Sequence, residues 1–479
     1  MDVLAYLERQ TTLTRSQHRI IAAAVLADGL EFFDYYLIGF ALSFIVGPWK
    51  LTFGQSAMIL LSSGIGAMIG SVLYGYLADK VGRRYIFMAT VLNTAIGTGM
   101  LAFTPQDSWI YIVIFRLVAG LGVGGLYVVN LPLVQEFVPA SKRGAISGVV
   151  TSAVPLGVVA ASVLAATLTP YVGWRGLFAI GTIPAVVALL VLVWVPESPR
   201  WLLLRGRSEE ARKSLAWALE MNPADLPLPA RTQPAQAFNW TEIFRYPRSV
   251  AVSWLSNLGA QTGTYGLKLW APTLVMLILG VSPVRAAFLL IWINLAGFFG
   301  RMVFAFFSDS LGRRRSAALY GFGAAILVVM AALVHNVYIG AVSIFWLMLI
   351  VAEIFIDGGW SIVGPYSAEV WPATIRTTGM GAAYAFGGLG KIIGPLGLAL
   401  ILGSSNVVSP AASVAAIVPA YSFMAFWFAL VAIVFLSFAR ETKGLSLEAI
   451  ERDLELSSPT SLARDQRTTI SPRKGDSHV

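Results

Sequence analysis

One stretch of ten residues, Gly75-Tyr76-Leu77-Ala78-Asp79-Lys80-Val81-Gly82-Arg83-Arg84, decides the fold because its second part returns later in the chain. Asp309-Ser310-Leu311-Gly312-Arg313-Arg314 repeats its aspartate, glycine and arginine pair 230 residues further on. An unrelated second motif occurs as Glu136-Phe137-Val138-Pro139-Ala140-Ser141-Lys142-Arg143 and, 233 residues later, as Glu369-Val370-Trp371-Pro372-Ala373-Thr374-Ile375-Arg376. Two different motifs that share nearly one offset indicate a duplicated chain. We therefore predict two halves of the same architecture.

The repeated motifs lie between long apolar segments. The chain has 479 residues, of which 57% are hydrophobic and 12% are charged, whereas a soluble domain carries roughly 25% charged residues. A membrane-spanning helix needs about 20 apolar residues. Twelve segments meet this requirement, approximately at 20–46, 55–78, 85–104, 109–134, 144–168, 175–195, 250–279, 285–307, 316–335, 340–367, 378–402 and 417–439. We predict an all-α membrane protein with twelve transmembrane helices in two pseudo-symmetric six-helix bundles.

The loops between these segments predict the orientation. The links 104–108, 336–339 and 403–416 contain no lysine or arginine, whereas the alternate links are basic. Cytoplasmic loops carry the excess of basic residues, so both termini are predicted to be cytoplasmic. We expect a multi-pass protein of a bacterial inner membrane. The net charge of +9 then reflects topology, and nucleic acid is not expected as a partner.

The predicted organisation has five parts. They are a cytoplasmic N-terminal tail (1–19), a first six-helix bundle (20–195), a cytoplasmic central loop with short helices (196–249), a second bundle (250–439) and a cytoplasmic tail with a disordered end (440–479). Within the central loop, the sequence around Ser208–Glu220 predicts a surface helix.

The composition also limits the chemistry. Cysteine is absent, which excludes disulfides, thiolate metal sites and a cysteine nucleophile. The three histidines are His18, His335 and His478, and none lies within the middle of an apolar segment. No nucleophile–base constellation or cofactor fingerprint is evident, so we expect no enzyme, no cofactor and no metal. Proton chemistry inside the membrane would have to use carboxylates.

Taken together, the motifs resemble the major facilitator superfamily. Besides the repeated loop motif, Arg116–Gly125 is similar to the superfamily's fourth-helix motif. Pro196–Trp201 and Glu441–Glu448 resemble the sugar-porter signatures after helices six and twelve. The resemblance covers about 20–450 and extends to the relatives of sugar porters that carry organic ions and aromatic acids. It implies a secondary transporter that works by alternating access, and we expect a monomer.

Two departures from the sugar-porter pattern disfavour a sugar substrate. In the seventh helix, Gln261–Pro272 keeps one glutamine of the usual polar motif and contains Lys268. The tenth helix carries Glu353 and Asp357, where sugar porters are usually uncharged.

The scarce charges inside the apolar segments are the candidate functional residues. Each costs about 2.5–3.5 kcal/mol on insertion scales and therefore needs a reason. Asp28, Glu31 and Asp34 follow one another at spacings of three, which keeps them within an arc of about 120°. At a rise of about 1.5 Å per residue, Asp34 lies about 18 Å and Asp28 about 27 Å below the outer end of the first helix. Arg116 lies about 11 Å deep, so it reaches Asp34 more easily than Asp28.

The proton-coupling site has two readings. Gly29–Asp34 resembles the sugar-porter first-helix motif that ends in a proton-binding aspartate. In the other register, Asp28–Glu31 resembles a motif of aromatic-acid symporters. We predict proton coupling by Asp34 with Arg116, and Asp28 or Glu31 is the alternative site.

A substrate site is predicted in the second half. Lys268 and Lys391 are candidates to bind a substrate carboxylate. The other predicted substrate-site residues are Gln261, Tyr265, Glu353, Asp357, Trp360 and Tyr384. In the alternative reading, Lys268 pairs with Asp357 and Lys391 with Glu353 to hold helices together, and the aromatic residues pack against core or lipid.

The charged residues of the repeated motifs form a third group. They are Asp79, Arg83, Arg84, Glu136, Arg143, Glu197 and Arg200 in the first half and Asp309, Arg313, Glu369 and Arg376 in the second. By resemblance they form salt-bridge networks that stabilise the outward-open state and break during transport. The alternative is that the arginines only set the topology, but this would require neither the aspartate nor the glycine.

These observations predict a proton-coupled symporter of a small organic acid, with an aromatic acid as one option. Its partners would be the substrate, protons and the lipid bilayer. A sugar or polyol symporter and a proton antiporter for drug or metabolite efflux are the alternative transporters. A non-transporting sensor is disfavoured because the tail is short.

Overall fold

The computed structural model describes residues 4–183, 194–228, 240–372 and 375–443. The first half and the link that follows it are helical. They contain α1 (Leu4–Glu8), α2 (Arg15–Ile45), α3 (Phe53–Val81), α4 (Arg83–Leu101), α5 (Trp109–Gln135), α6 (Ala140–Thr151), α7 (Ala153–Thr167), α8 (Thr169–Ile180), α9 (Pro199–Leu204), α10 (Ser208–Leu219) and two 3₁₀ turns (Pro223–Asp225 and Trp240–Arg245).

The second half repeats the helical pattern and adds one small hairpin. It contains α11 (Pro247–Leu279), α12 (Pro283–Ser310), α13 (Arg313–Leu333), β1 (Tyr338–Ile339), β2 (Val342–Ser343), α14 (Ile344–Gly358), α15 (Trp360–Glu369), α16 (Arg376–Gly388), α17 (Gly390–Leu402), α18 (Pro410–Ala415) and α19 (Ile417–Phe438).

The helices begin at polar capping residues that the apolar pattern does not reveal. Thr14 accepts a hydrogen bond from Gln17 N at 3.2 Å, and the Gln17 side chain accepts from Thr14 N at 2.9 Å. The same reciprocal box joins Thr52 and Gln55. Such boxes satisfy amide groups that have no partner within the helix. As a result, α2 begins five residues before the predicted apolar segment.

The helices agree with the predicted apolar segments over most of the chain. Within the described residues, eight helical stretches are long and apolar enough to cross a membrane. These are Phe53–Val81, Trp109–Gln135, Ser141–Thr167, Pro283–Ser310, Arg313–Leu333, Ile344–Glu369, Thr378–Leu402 and Ile417–Phe438. The long helices α2 and α11 match the first and seventh segments and contain buried charged residues. The predicted sixth segment lies partly outside the described residues, as does the predicted disordered tail end.

Three predicted spans are interrupted. The breaks at Ser152, Gly359 and Leu389 divide α6 from α7, α14 from α15 and α16 from α17. Each break precedes a proline by three to six residues, and proline removes a helical hydrogen bond and kinks the helix.

Besides the start of α2, two further predicted boundaries were wrong. The tenth span begins at Ile344 and not at 340, because Tyr338–Ile339 and Val342–Ser343 pair as a hairpin. Its turn needs the positive φ of 60° at Gly340, which glycine adopts without strain. The stretch before the sixth segment is helical from Thr169 onward, with a kink at Gly173. The predicted surface helix is confirmed at Ser208–Leu219.

The two halves are joined at the face opposite the repeated loop motifs. There, Phe53 N donates to Asn406 O at 3.0 Å, and Val408 N donates to Leu51 O at 2.9 Å. Deeper in the protein, α2 packs against α11, α3 against α17 and α7 against α12. The structure is therefore closed on this face.

Candidate substrate and proton site

Asp34 and Arg116 form a fully buried ion pair between α2 and α5. Arg116 Nη1 lies 3.1 Å from Asp34 Oδ2, and both side chains are 0% exposed. Thr98 Oγ1 donates to Asp34 Oδ1 at 2.6 Å, and Arg116 Nη2 donates to the Tyr35 carbonyl at 3.1 Å. The depth estimate predicted this contact. The proton-coupling role of the pair stays a prediction.

The other two acids of α2 have weaker partners. Asn130 Nδ2 donates to Asp28 Oδ1 at 3.4 Å. Glu31 is 4% exposed, and its Oε2 has no hydrogen-bond partner within the described residues. Glu31 interacts electrostatically with Asp28, with Asp34 and, across the interface between the halves, with Lys391. The three predicted proton-site acids therefore lie on one interior face in different environments.

Lys391 lies inside a cluster of tyrosine rings. Its Nζ is 5.5 Å from the ring centre of Tyr35, 5.0 Å from that of Tyr265 and 5.5 Å from that of Tyr384. The lysine is 7% exposed, and no ion pair joins it to a carboxylate in the part of the chain that the structure describes. Cation–π contacts stabilise a buried ammonium without neutralising it. The structure thus places a buried positive charge between aromatic walls.

Lys268 is held by two carboxylates instead. Its Nζ lies 2.5 Å from Glu353 Oε1 and 2.7 Å from Asp357 Oδ2. The two acids are one helical turn apart on α14, so they share a face and one lysine reaches both. The predicted alternative pairing of Lys268 with Asp357 is present. The alternative pairing of Lys391 with Glu353 is wrong, because Glu353 is bound to Lys268.

Arg301 belongs to the same group of charges and was not among the residues predicted from the sequence. Its Nη2 lies 3.6 Å from Asp357 Oδ1, and its Nη1 donates to the Thr151 carbonyl at 3.4 Å. That carbonyl is freed because Pro155, four residues later, has no amide hydrogen to donate. Arg301 could have been found from the sequence, because it is a charged residue within the predicted apolar segment 285–307.

A cavity between the halves lies next to the Lys268 ion pairs. It is lined by residues of both halves, including Tyr36, Phe40, Lys268, Asn294, Glu353 and Tyr421. Asn294 Nδ2 also donates to Ser162 Oγ at 2.8 Å and so links α12 to α7. Lys268 and Glu353 are the charged residues that border this cavity.

The remaining predicted substrate residues are divided between the tyrosine cluster and the core. Gln261 Nε2 donates to the Tyr384 carbonyl at 3.3 Å, which places it beside the cluster. Its Oε1 has no partner among the described residues. Trp360 is partly buried and packs against the hydrophobic core.

Replacing Lys268 by methionine is expected to destabilise the protein strongly. The substitution would leave two buried carboxylates with a single cation at 3.6 Å from Asp357. Removing one partner of a buried ion pair costs about 3–5 kcal/mol. Thermal unfolding of the purified protein in detergent measures this loss. The double variant Lys268→Met/Glu353→Gln should regain part of it, and an unchanged melting temperature in the single variant would contradict the expectation.

The repeated loop motifs build the same ion cluster in both halves. In the first half, Arg83 Nε lies 2.9 Å from Glu136 Oε1, and the Ser198 hydroxyl donates to Glu136. Glu197 Oε1 accepts from the amides of Arg83 and Arg84 at 3.0 and 3.1 Å, at the N-terminus of α4. Burial raises the pKa of the Glu136 carboxyl, and the Arg83 guanidinium opposes that rise.

The second half matches this arrangement residue for residue. Arg313 Nη2 lies 3.1 Å from Glu369 Oε1, and Thr442 Oγ1 donates to Glu369 Oε2 at 2.6 Å. Glu441 accepts from the amides of Arg313 and Arg314 at the N-terminus of α13. A carboxylate is favoured there by the helix dipole.

The glycine of the motif has a structural reason. Gly82 and Gly312 have φ values of 124° and 91°, which favour glycine. A side chain there would also meet the carboxylates of Glu197 and Glu441.

The other charged residues of the motifs make contacts that differ between the two halves. Arg143 and Arg200 are brought together by Glu8 of α1, at 3.0 and 3.4 Å. Asp309 pairs with Arg313 at 2.8 Å. The Asp79 carbonyl accepts from Trp201 Nε1 at 2.9 Å, and Arg376 begins α16. The ion pairs described here join helices within one half, and the gating role of the motifs stays a prediction.

Repeated helical halves, buried charges at their interface and matched ion clusters at one end define a membrane transporter with the major facilitator fold. A family model described as "Sugar (and other) transporter" matches residues 20–454, and the chain belongs to this family. The sequence-based identification is thereby confirmed. The protein is a multi-pass membrane transporter and not an enzyme.

Known relatives include transporters of small acids. The niacin transporter NiaP of Acinetobacter baylyi is 31% identical over 373 residues, which cover 76% of this chain and 82% of that protein. The cis,cis-muconate transport protein of the same bacterium is 27% identical over 386 residues, or 80% and 86% of the two chains. The partially occluded, inward-open structure of the xylose transporter XylE from E. coli superposes with a TM-score of 0.69 at 20% identity. It covers 90% of this chain and 100% of that one, which shows the shared fold.

Proposed function

We propose that this transporter is a proton-coupled symporter of a small aromatic monocarboxylic acid. The observation that carries the proposal is Lys391, a buried ammonium surrounded by three tyrosine rings and without a carboxylate ion pair among the described residues. An ammonium group binds a carboxylate through a charge-assisted hydrogen bond. Tyrosine rings pack against a planar aromatic ring in stacked or edge-on geometry. The site therefore offers an ammonium group for the carboxylate and tyrosine rings for the aromatic ring of such an acid.

The position of the cluster fits alternating access. Tyr35 belongs to α2 of the first half, whereas Tyr265, Tyr384 and Lys391 belong to the second half. Transporters built from repeats bind substrate near the membrane centre at the interface between the repeats. A ligand held by Lys391 and Tyr35 would touch both halves and respond to their relative movement.

The names of the relatives agree with an acidic substrate. Niacin is a pyridine carboxylic acid, and cis,cis-muconate is an unsaturated dicarboxylate, so both named substrates carry a carboxylate. Of these two substrates, the aromatic monocarboxylate is the one that Lys391 and the tyrosine cluster favour.

Proton coupling is assigned to Asp34 and Arg116, with Asp28 and Glu31 on the same helix face. Protonation of Asp34 would break its ion pair with Arg116 and would change the hydrogen bond that it accepts from Thr98. A change that weakens contacts in one conformation shifts the balance toward the other. The ion clusters at the loop motifs would act as gating networks. We further propose a monomer in a bacterial inner membrane, with both termini in the cytoplasm.

Uptake into proteoliposomes tests the substrate class. With an acidic exterior, nicotinate and benzoate should accumulate, whereas the neutral isostere nicotinamide and the sugar xylose should not. The expected discrimination against nicotinamide is at least tenfold, because a charge-assisted hydrogen bond contributes about 1.5–3 kcal/mol. Accumulation of xylose or equal uptake of nicotinamide would overturn the proposal. Accumulation only with an acidic interior would instead indicate proton antiport.

A further inference from the structure

We infer that the Glu31 carboxylate and the substrate carboxylate take turns as the counter-ion of Lys391, so that the substrate binds together with one proton on Glu31. The inference rests on the proposed function for the chemical class of the substrate. It adds the residue that makes binding of the anion depend on a proton.

Glu31 differs from the other buried acids in its partners. Asp34 is bound by Arg116 and Thr98, and Asp28 is hydrogen-bonded by Asn130. Glu31 is buried, its Oε2 lacks a hydrogen-bond partner within the described residues, and it interacts electrostatically with Lys391.

Glu353 and Asp357, the two buried acids of α14, share Lys268. Glu31 and Lys391 are thus an acid and a base on opposite halves that influence each other without a direct ion pair. Tyr35, one helical turn after Glu31, has its ring centre 5.5 Å from Lys391 Nζ, so the two groups lie on neighbouring parts of facing halves.

The other buried cations near this pair already have carboxylate partners, so Lys391 is the one whose partner can change. The charged and titratable groups that interact with Glu31 or Lys391 are Asp28, Asp34 and Tyr35 on α2, Tyr265 on α11 and Tyr384 on α16. A second set of charges acts on their neighbours Asp28, Asp34 and Tyr36. It consists of Arg116 on α5, Lys268 on α11, Arg301 on α12, and Glu353 and Asp357 on α14. Arg116 is bound to Asp34, and Lys268 and Arg301 are bound to the acids of α14. Arg116, Lys268 and Arg301 are therefore not available to neutralise an incoming anion, which leaves Lys391.

The charge balance fixes the number of protons. With Glu31 ionised, the Glu31–Lys391 pair is neutral, and an added monocarboxylate leaves one uncompensated negative charge in a region of low dielectric constant. Such a charge is strongly disfavoured. A proton from the outer solution that binds the Glu31 carboxylate restores neutrality, and Lys391 then pairs with the substrate. One proton accompanies one monocarboxylate, and both leave together on the other side.

The acids on either side of Glu31 supply a route for that proton. Asp34, Glu31 and Asp28 follow each other at intervals of three residues, about 4.5 Å apart along the helix axis. Glu31 interacts electrostatically with both neighbours. The proton would enter at Asp34, meet the substrate at Glu31 and leave by way of Asp28.

Calorimetric titration with nicotinate tests the inference on the purified, full-length protein in detergent. Titrations in buffers of different ionisation enthalpy count the protons taken up, and the wild type should take up one per nicotinate bound. Its affinity should fall about tenfold per pH unit once Glu31 is ionised, as one linked proton requires. Glu31→Gln should bind nicotinate with no proton uptake and no such pH dependence.

Matched variants separate the possible failures. Glu31→Asp keeps a carboxyl group and should retain one proton, and Glu209→Gln, on the surface helix α10, should behave as the wild type. Binding to the wild type without proton uptake would overturn the inference but leave the proposed substrate class intact. An unchanged proton count in Glu31→Gln would do the same. Failure of the wild type to bind any aromatic carboxylate would overturn the proposed function itself.

Discussion

Replacing Lys391 by glutamine is expected to weaken nicotinate binding by about 30-fold, because a hydrogen bond to a charged group contributes about 1.5–3 kcal/mol. Glutamine retains a hydrogen-bond donor of similar reach but removes the charge. Isothermal titration at a fixed, mildly acidic pH measures the change in affinity directly. Uptake into proteoliposomes at low substrate concentration should fall by a similar factor.

Two control variants make this result specific to the tyrosine cluster. Lys391→Arg keeps the positive charge and should retain part of the affinity. Lys50→Gln removes a lysine that is exposed, outside α2 and α3, and should bind as the wild type does. Wild-type affinity in Lys391→Gln would mean that the substrate carboxylate binds elsewhere, most directly beside Lys268 in the neighbouring cavity.

The two buried lysines differ in what surrounds them, and this difference decides which one is offered to a substrate. Lys268 is held at 2.5 and 2.7 Å by two carboxylates. A substrate anion would have to displace one of them in a region where an unpaired charge is costly. Lys391 has tyrosine rings as neighbours, and these stabilise a cation without occupying its hydrogen-bond donors. Lys391 can therefore take up an anion without breaking an ion pair.

The fold was predictable because its main signals are local in sequence. Apolar segments of about 20 residues and the basic loops between them require no knowledge of packing. The interruptions of the spans and the hairpin at 338–343 were not predicted. They depend on single residues, such as Pro155 and Gly340, that act on the backbone within otherwise unbroken apolar patterns.

The site was predictable only in part, because the pairing of its charges depends on how helices face each other. A charge within an apolar segment is visible in the sequence, and the depth estimate led to the contact between Asp34 and Arg116. The choice between Lys268 and Lys391 as the partner of Glu353 was not visible. It depends on the rotation of α11 and α17 relative to α14. The three rings around Lys391 come from three helices in both halves, and no spacing along the chain reveals that arrangement.

The duplication continues into the membrane, with the signs of the charges reversed. Asp34 on α2 pairs with Arg116 on α5, and Lys268 on α11 pairs with Glu353 on α14. The offsets, 234 and 237 residues, are close to those of the repeated loop motifs. Each half therefore has a buried ion pair between its first and fourth membrane-spanning helices, and the second half adds the pair of Lys268 with Asp357. The difference is that Lys268 contacts two acids, whereas Asp34 contacts one base.

Replacing Asp34 by asparagine is expected to abolish proton-driven accumulation while leaving exchange intact. A gradient of about two pH units allows a 1:1 symporter to concentrate its substrate about 100-fold, since each pH unit is a factor of ten. Asparagine cannot pass the proton on to Glu31, so net uptake of nicotinate into Asp34→Asn proteoliposomes should be lost. Counterflow, which exchanges labelled for unlabelled substrate without net proton movement, should persist because Lys391 and its tyrosines are unchanged.

The matched control for this result is Thr98→Val. It removes the hydroxyl that donates to Asp34 Oδ1 at 2.6 Å but leaves both the carboxylate and Arg116 in place. This variant should still accumulate nicotinate, although the pH at which uptake is half-maximal should shift because a hydrogen bond to the ionised form is lost. Accumulation at the wild-type level in Asp34→Asn would remove Asp34 from the coupling mechanism and leave Glu31 and Asp28 as the acids that carry the proton. Loss of counterflow together with accumulation would mean that Asp34 holds the structure and not the proton, because its ion pair with Arg116 is fully buried.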